Sequence, residues 1–230
     1  MLHHWDLSPS APSPAENLME SPIRNRKPAQ ARTQDRVARA MAAAEQLLIE
    51  RGPEEVSIPD IAEASGVPRA SLYQFYANKY QLFAAISESH LARVAGEIKA
   101  GGQALAGRHW REVVPLLVEA ASRYYNEHPV AGILILGWPM SRDAYLAQEV
   151  TIENIGDELR SVFATLSPPV ALPAEPDAGT IVTELAFACM KYGYFRHGLI
   201  SEDIIRQSSL AVIGYLEQVL PPELAQSRPS

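Results

Sequence analysis

Arg69 and Gln74 are the residues of this chain best suited to chemistry with a partner, and that chemistry is hydrogen bonding to base edges rather than bond making. They lie in Pro68-Arg69-Ala70-Ser71-Leu72-Tyr73-Gln74-Phe75-Tyr76-Ala77-Asn78-Lys79. A guanidinium fork matches the acceptor pair of guanine, and a carboxamide matches the donor and acceptor of adenine, both on the major-groove edge. If the segment is helical, Leu72 and Tyr76 fall four apart and face a core. Arg69, Ala70, Ser71, Tyr73 and Gln74 then face outward, with Phe75 at the margin. The small side chains at 70 and 71 let such a helix sit deep in a groove.

Bond-making chemistry finds no comparable support. The sequence has no Gly-rich phosphate loop, no nucleophile elbow, and no Ser or Cys with a recognisable base. His109, His128 and His197 lack Cys or carboxylate neighbours at ligand spacing, so neither a metal nor another cofactor is expected. Cys189, the single cysteine, sits among apolar residues and reads as an inert core thiol. One cysteine also excludes an internal disulfide framework.

The elements that position Arg69 and Gln74 follow from local signals. Val37, Ala40, Ala44, Leu47 and Leu48 recur at three- and four-residue steps, giving a first helix from about Thr33, a plausible N-cap, to Arg51, ended by Gly52-Pro53. Ser57 with Asp60 three residues on reads as a capping box that opens a second helix, and Pro59 is tolerated in its first turn. Gly66 suits a left-handed helix end. Asn78 with Gln81 reads as another box, opening a long helix to about Lys99. Two short helices joined by a Gly-containing turn make a helix-turn-helix, with the second as the groove reader.

Taken together, Ser57, Ile61-Ala62, Ser65-Gly66-Val67, Ser71-Leu72-Tyr73, Phe75-Tyr76 and Lys79 stand in a register that resembles the N-terminal domain of TetR-family bacterial transcriptional regulators. The likeness covers about a quarter of the chain. It implies that Ser57 and Lys79 hold phosphates, that Arg69, Ala70, Ser71 and Gln74 lie against bases, and that Tyr73 and Phe75 meet sugars, phosphates or a thymine methyl. Two positions depart from the pattern. Pro68 stands where the family often has Ser or Thr, and Phe75 where it often has Tyr or His, so one cap hydroxyl and one polar contact are missing.

The chain's net charge of −7 is unevenly placed. Residues 23–79 carry net +2, residues 80–230 net −6, and the first twenty-two residues −3. The positive excess gathers in Arg24, Arg26, Lys27, Arg32, Arg36 and Arg39, and local charge governs phosphate affinity more than the sum does. Residues 1–30, rich in Ser, Pro and Ala, read as a disordered arm. Its Arg24 and Arg26 either enter an adjacent minor groove or stay in solvent. No uninterrupted apolar window of membrane-spanning length occurs and the N-terminus lacks a signal-peptide pattern, so a cytoplasmic protein without a membrane partner is expected.

The remainder is helical by pattern, which makes the fold class all-α: an N-terminal three-helix helix-turn-helix domain (31–78), a connecting helix (79–100), a C-terminal helical domain (101–222) and a tail (223–230). Helices are expected at about 109–127, 129–138, 141–166, 178–197 and 202–220, with a proline-rich loop at 167–176. The resemblance implies that the last two helices pair two copies into a homodimer. Ile181, Leu185, Cys189 and Tyr192 mark one stripe there, and Ile205, Val212, Tyr215, Leu216 and Val219 another. It also implies an effector pocket, for which the large side chains Trp110, Tyr124, Trp138, Met140, Tyr145, Phe163 and Phe187 are the candidates.

Three functional readings follow. The first is a dimeric repressor on a palindromic double-stranded DNA operator, released by a small hydrophobic or aromatic effector. The second is a DNA-binding protein of the same type without an effector, acting architecturally or through a protein partner. The third, an all-α enzyme, lacks a catalytic constellation.

Overall fold

Five short polar side chains set the helix starts. Ser57, Asn78, His109, Asp177 and Ser201 each accept a hydrogen bond from a backbone N–H in the first turn of the helix that follows, filling donors that a helix cannot pair internally. The computed structural model describes residues 26–137 and 142–228. These form α1 (Arg26–Glu55), α2 (Ile58–Ser65), α3 (Arg69–Phe75), α4 (Lys79–Ala104), α5 (Trp110–Glu127), α6 (Pro129–Ala131), a π-helical segment (Gly132–Gly137), α7 (Arg142–Ala164), α8 (Ala178–His197), α9 (Glu202–Val219) and α10 (Pro222–Ala225). No strand occurs among the described residues, and no helix there is long and apolar enough to cross a membrane.

The first helix differs from expectation at its start. It begins at Arg26, so residues 26–30 are helical rather than part of an arm, and Thr33 lies inside the helix instead of capping it. Pro28 falls in the first turn, where no intrahelical donor is lost. The break is where Gly52-Pro53 puts it: Gly52 has φ 75°, outside helical space. Ala40, Ala44, Leu47 and Leu48 of α1 pack with Ile58 and Ile61 of α2, Leu72 of α3, and Leu82, Phe83 and Ile86 of α4. Val130 and Leu134 join the same core, which ties the N-terminal domain to the short helix and π-segment that follow α5.

A second core fills the space among α4, α5, α7, α8 and α9. Helices α7 and α8 approach backbone to backbone at Gly156 and Gly179. A Cβ on Gly179 would stand 2.6 Å from the Gly156 carbonyl oxygen, and one on Gly156 2.7 Å from Thr180 N. Only glycine permits this crossing. The preceding proline-rich loop is held by Arg160, whose guanidinium donates to Leu172 O at 3.0 Å and Asp177 Oδ1 at 2.6 Å.

The tail is a structural element. Trp110 Nε1 donates to Leu224 O at 3.1 Å, His109 Nε2 meets Ser227 Oγ at 2.9 Å, and Arg111 bonds both Ala225 O and Glu217 while lying 4.4 Å over the Trp110 ring. Residues 223–227 of the expected tail are therefore docked on the start of α5.

Gly96 is the converse of Gly179. It lies inside α4, and a Cβ added there would meet nothing within 4 Å. Gly96→Ala is expected to stabilise the fold by about 0.5–1 kcal/mol through reduced unfolded-chain entropy and better helix propensity. Urea unfolding checks it, and a lower midpoint would mean that α4 needs a flexible point there.

Candidate functional site

The outward face of α3 is set by one buried residue. Leu72 has no exposed surface and anchors the helix in the N-terminal core. At the period of a helix this leaves Arg69, Ala70, Tyr73 and Gln74 exposed, Ser71 and Phe75 half-buried at the edges, and Tyr76 turned inward. Tyr73 is 46% exposed. The Arg69 guanidinium lies 5.7 Å over its ring, so the two outward side chains restrain each other. The approach to α3 is fixed by Gly66, whose φ of 63° lets α2 end in a left-handed turn.

Basic residues of α1 take part in holding this face, which sequence reasoning missed. Arg36 Nη1 donates to Ser71 Oγ at 3.4 Å, and Arg39 Nη1 donates to Ser65 O at 3.3 Å while Nε pairs with Asp35 at 3.1 Å. The only sequence signal was the clustering of positive charge on α1. Arg24 lies outside the described residues, as does the side chain of Arg26, although the backbone of Arg26 opens α1.

Ser57 and Lys79 flank the helix-turn-helix with part of their capacity already committed. Ser57 Oγ bonds the Asp60 carboxylate, and Ser57 N donates to the same oxygen at 3.0 Å. These bonds, with Arg51 nearby, hold the Asp60 carboxyl below its ordinary range. Lys79 Nζ donates to Pro53 O and Glu54 O, both at 2.9 Å. It closes the exposed carbonyls at the end of α1 and keeps one N–H for an anion.

A second candidate region is an apolar cavity of about 60 Å³ among α4, α5, α7, α8 and α9. Val94 and Ile98 of α4 face Val118 and Ala121 of α5, Phe163 of α7, and Phe187 and Met190 of α8 across it. Of the aromatic candidates among the described residues, only Phe163 and Phe187 line it. Trp110 is fully buried under the tail, Tyr124 bonds His90, and Tyr145 is 51% exposed on α7, so these three are corrections. Trp138 and Met140 lie outside the described residues. Its lining is mostly aliphatic, with the small side chains Ala121 of α5 and Thr183 and Ala186 of α8 among it.

The expected pairing stripes divide as well. Val212 and Leu216 belong to the chain's own core, with 4% and 0% exposure, and are corrected. Leu185, Ile205, Tyr215 and Val219 are partly covered by that core, Ile181 and Cys189 are half-buried, and burial pushes the Cys189 thiol up. Tyr192 is 60% exposed, and it is joined by Phe195 at 83% and Leu210 at 55%, neither singled out from sequence. Ile181, Leu185, Ala188, Tyr192 and Phe195 recur at steps of four and three along α8, the seam that a helix presents to a neighbour. Among the described residues no group of His, Cys, Asp or Glu is arranged to hold a metal.

Residues 40–86 match the family model described as bacterial regulatory proteins, tetR family. A TetR-family transcriptional regulator from Streptomyces coelicolor superposes with TM-score 0.64 at 19% identity, covering 80% of this chain and 99% of that one. A TetR transcriptional regulator from Rhodococcus sp. RHA1 gives 0.59 at 18%, covering 79% and 95%. RolR in complex with resorcinol gives 0.60 at 18%, covering 87% and 97%. A search of curated proteins finds no match.

Proposed function

We propose that this chain, a TetR-type helix-turn-helix domain joined to the helical body of the TetR-regulator fold, is a homodimeric repressor that leaves a palindromic operator when a small apolar effector enters its cavity. The observation that carries the DNA reading is the α3 face, where Leu72 anchors the helix and Arg69, Ala70, Tyr73 and Gln74 are exposed. Arg69 and Gln74 read base edges, while Tyr73 and Phe75 meet the backbone or a thymine methyl. Ser71 approaches the bases, and Ser57 and Lys79 hold phosphates. The exposed seam of α8 with Leu210 of α9 supports pairing with a second copy. Two α3 helices then read half-sites about 34 Å apart.

Helix α4 supports the release step. It starts at Lys79 beside the recognition domain, and its Val94 and Ile98 line the cavity. A ligand larger than the cavity must displace a wall, and α4 is the wall that reaches the DNA-binding core through Leu82, Phe83 and Ile86. Release requires that the effector bind the DNA-free arrangement more tightly. The resorcinol held by RolR is in keeping with a small aromatic effector here.

The test is fluorescence anisotropy with duplexes tiled across the DNA flanking the chain's own gene, at two salt concentrations. The expected result is tight binding to one palindromic tile that persists at the higher salt. Weak, uniform binding that collapses with salt across every tile would overturn specific recognition.

A further inference from the structure

Three hydroxyls on α5 and α9, helices that contribute to the cavity wall, are buried with no hydrogen-bond partner: Ser122 Oγ, Tyr125 Oη and Ser208 Oγ. An unpaired buried donor is costly, and native structures retain few of them. Ser87, Ser161, Ser209 and Thr183 lie in helices and each donates to the carbonyl four residues back, at 2.9–3.1 Å. Ser122 and Ser208 make no such bond. The bond of Thr183 to Gly179 O also commits the hydroxyl of the one polar side chain that lines the cavity among the described residues.

Their positions converge. Ser122 and Tyr125 follow Val118 and Ala121 along α5 at steps of three and four, and so continue the face that walls the cavity. The Tyr125 ring stands edge-on to Phe187, a cavity residue, with centroids 6.0 Å apart. Helix α9 runs antiparallel to α5: Arg111 bonds Glu217 at one end, and Asn126 clasps the backbone of Ile200 at the other, at 2.9 Å. This register sets Ser208 level with the stretch from Val118 to Ser122, one turn before cavity-lining Val212.

We infer that the cavity and these hydroxyls form one ligand site for a small neutral molecule with a hydrocarbon body and a hydroxyl or carbonyl at one end, the oxygen function being received by Ser122, Tyr125 and Ser208. This rests on reading the cavity as the effector site proposed above. Neutrality follows from the walls, because among the described residues no ionisable side chain lines the cavity, and an unpaired buried charge is prohibitively costly. Burial pushes the Tyr125 phenol well above its ordinary range, so it offers a neutral O–H. Size follows from volume: a cavity of about 150 Å³ holds benzene, and this one, at about 60 Å³, must open for a ligand of that size.

The experiment compares 4-methylphenol, toluene and 4-methylbenzoate on the full chain by calorimetry and thermal shift, with Ser122→Ala, Tyr125→Phe and Ser208→Ala beside the parent. The parent is expected to bind 4-methylphenol about tenfold more tightly than toluene and 4-methylbenzoate not measurably. At least one variant should bring the phenol-to-toluene ratio close to one while toluene affinity is unchanged. Each variant should melt at or above the parent's temperature, since it removes an unpaired group. Equal binding of phenol and toluene by the parent, a ratio unchanged in all three variants, or binding of none of the three probes overturns the site. So does a large loss of thermal stability in the variants, which would mean that the hydroxyls serve the fold. Operator binding is measured in parallel. A probe that binds without altering DNA affinity sinks the release mechanism and leaves this site standing, whereas intact operator binding with no probe bound sinks only the site.

Discussion

The double variant Arg69→Ala/Tyr73→Ala is expected to bind the operator about a hundredfold more weakly than the parent, a loss of about 2.7 kcal/mol, while its melting temperature moves little. The first expectation comes from the α3 face. An Arg that reads guanine bidentately is worth about 1–3 kcal/mol, and Tyr73 restrains Arg69 by lying beneath its guanidinium. Removing both strips two of the three long side chains from an exposed face that then keeps only Ala70, Ser71 and Gln74. The second expectation comes from burial. Both side chains are exposed and neither belongs to the N-terminal core, and substitutions at such positions usually shift stability by no more than about 0.5 kcal/mol. Leu72 between them would behave oppositely, because its truncation leaves a void in that core. Anisotropy on the specific duplex, repeated on an unrelated one, separates the roles. If Arg69 reads a base, specific affinity falls and the salt dependence stays; if it holds a phosphate, both duplexes weaken and the salt slope shrinks by about one ion. Unchanged affinity on the specific duplex would remove α3 as the reader.

What was legible in the sequence was local. Ser57 and Asp60 make their capping box, Gly66 turns left-handed, Gly52 breaks α1, and Asn78 caps α4, because each signal acts within one turn of the backbone. The Asn78 box is only half formed, since Gln81 Oε1 accepts from Ala77 N rather than from Asn78. The bounds of α8 and α9 follow from their caps and periodicity. What was not legible depends on contacts distant in sequence. Nothing local says that the residues after α9 fold back onto Trp110 and Arg111. An amphipathic stripe cannot by itself reveal which neighbour covers it, so Val212 and Leu216 read as interface and are core. Side-chain size misled for the cavity, since Trp110 and Tyr124 are held by hydrogen bonds elsewhere, and the wall is mostly aliphatic side chains brought together from five helices. The π-helical Gly132–Gly137 carries an apolar pattern that reads as ordinary helix.

The junction between the two cores should make the protein acid-labile above the pH at which carboxylates titrate. His90 of α4 is 2% exposed, with Nδ1 2.8 Å from the Tyr124 hydroxyl. Tyr124 stacks on His128 with centroids 4.1 Å apart, and His128 is 5.9 Å from His90. Burial chiefly, then the nearby charges of Arg93 and His128, hold His90 down to about 4 from an ordinary 6.5. Its Nε2 faces the half-exposed Glu45 of α1 at 3.8 Å. With His90 neutral in the fold, that contact is not an ion pair at neutral pH. Because the folded value lies below the unfolded one, the stabilisation is full above pH 6.5 and is lost as pH falls from 6.5 towards 4, about 3 kcal/mol across that window. Asp60 and Asp177 act lower. Bonds from Ser57 depress the first, and for the second burial acts upward but bonds from Thr180 and Arg160 outweigh it. Their stabilisation therefore falls away only from about pH 4 downward. His109 is also held down, by burial and then Arg111, so its contribution likewise begins to be lost as pH falls below 6.5, and a variant must apportion the effect. His90→Gln keeps a neutral partner within reach of Tyr124 but cannot take up a proton. Urea unfolding at pH 7.5 and pH 4.5 should show the parent losing about 2–3 kcal/mol more than His90→Gln. Parallel losses in the two proteins would clear His90 and leave His109 as the acid-labile group. If the difference appears, protonation at one buried ring loosens the contact among α1, α4 and α5 through which the recognition domain is seated on the rest of the chain.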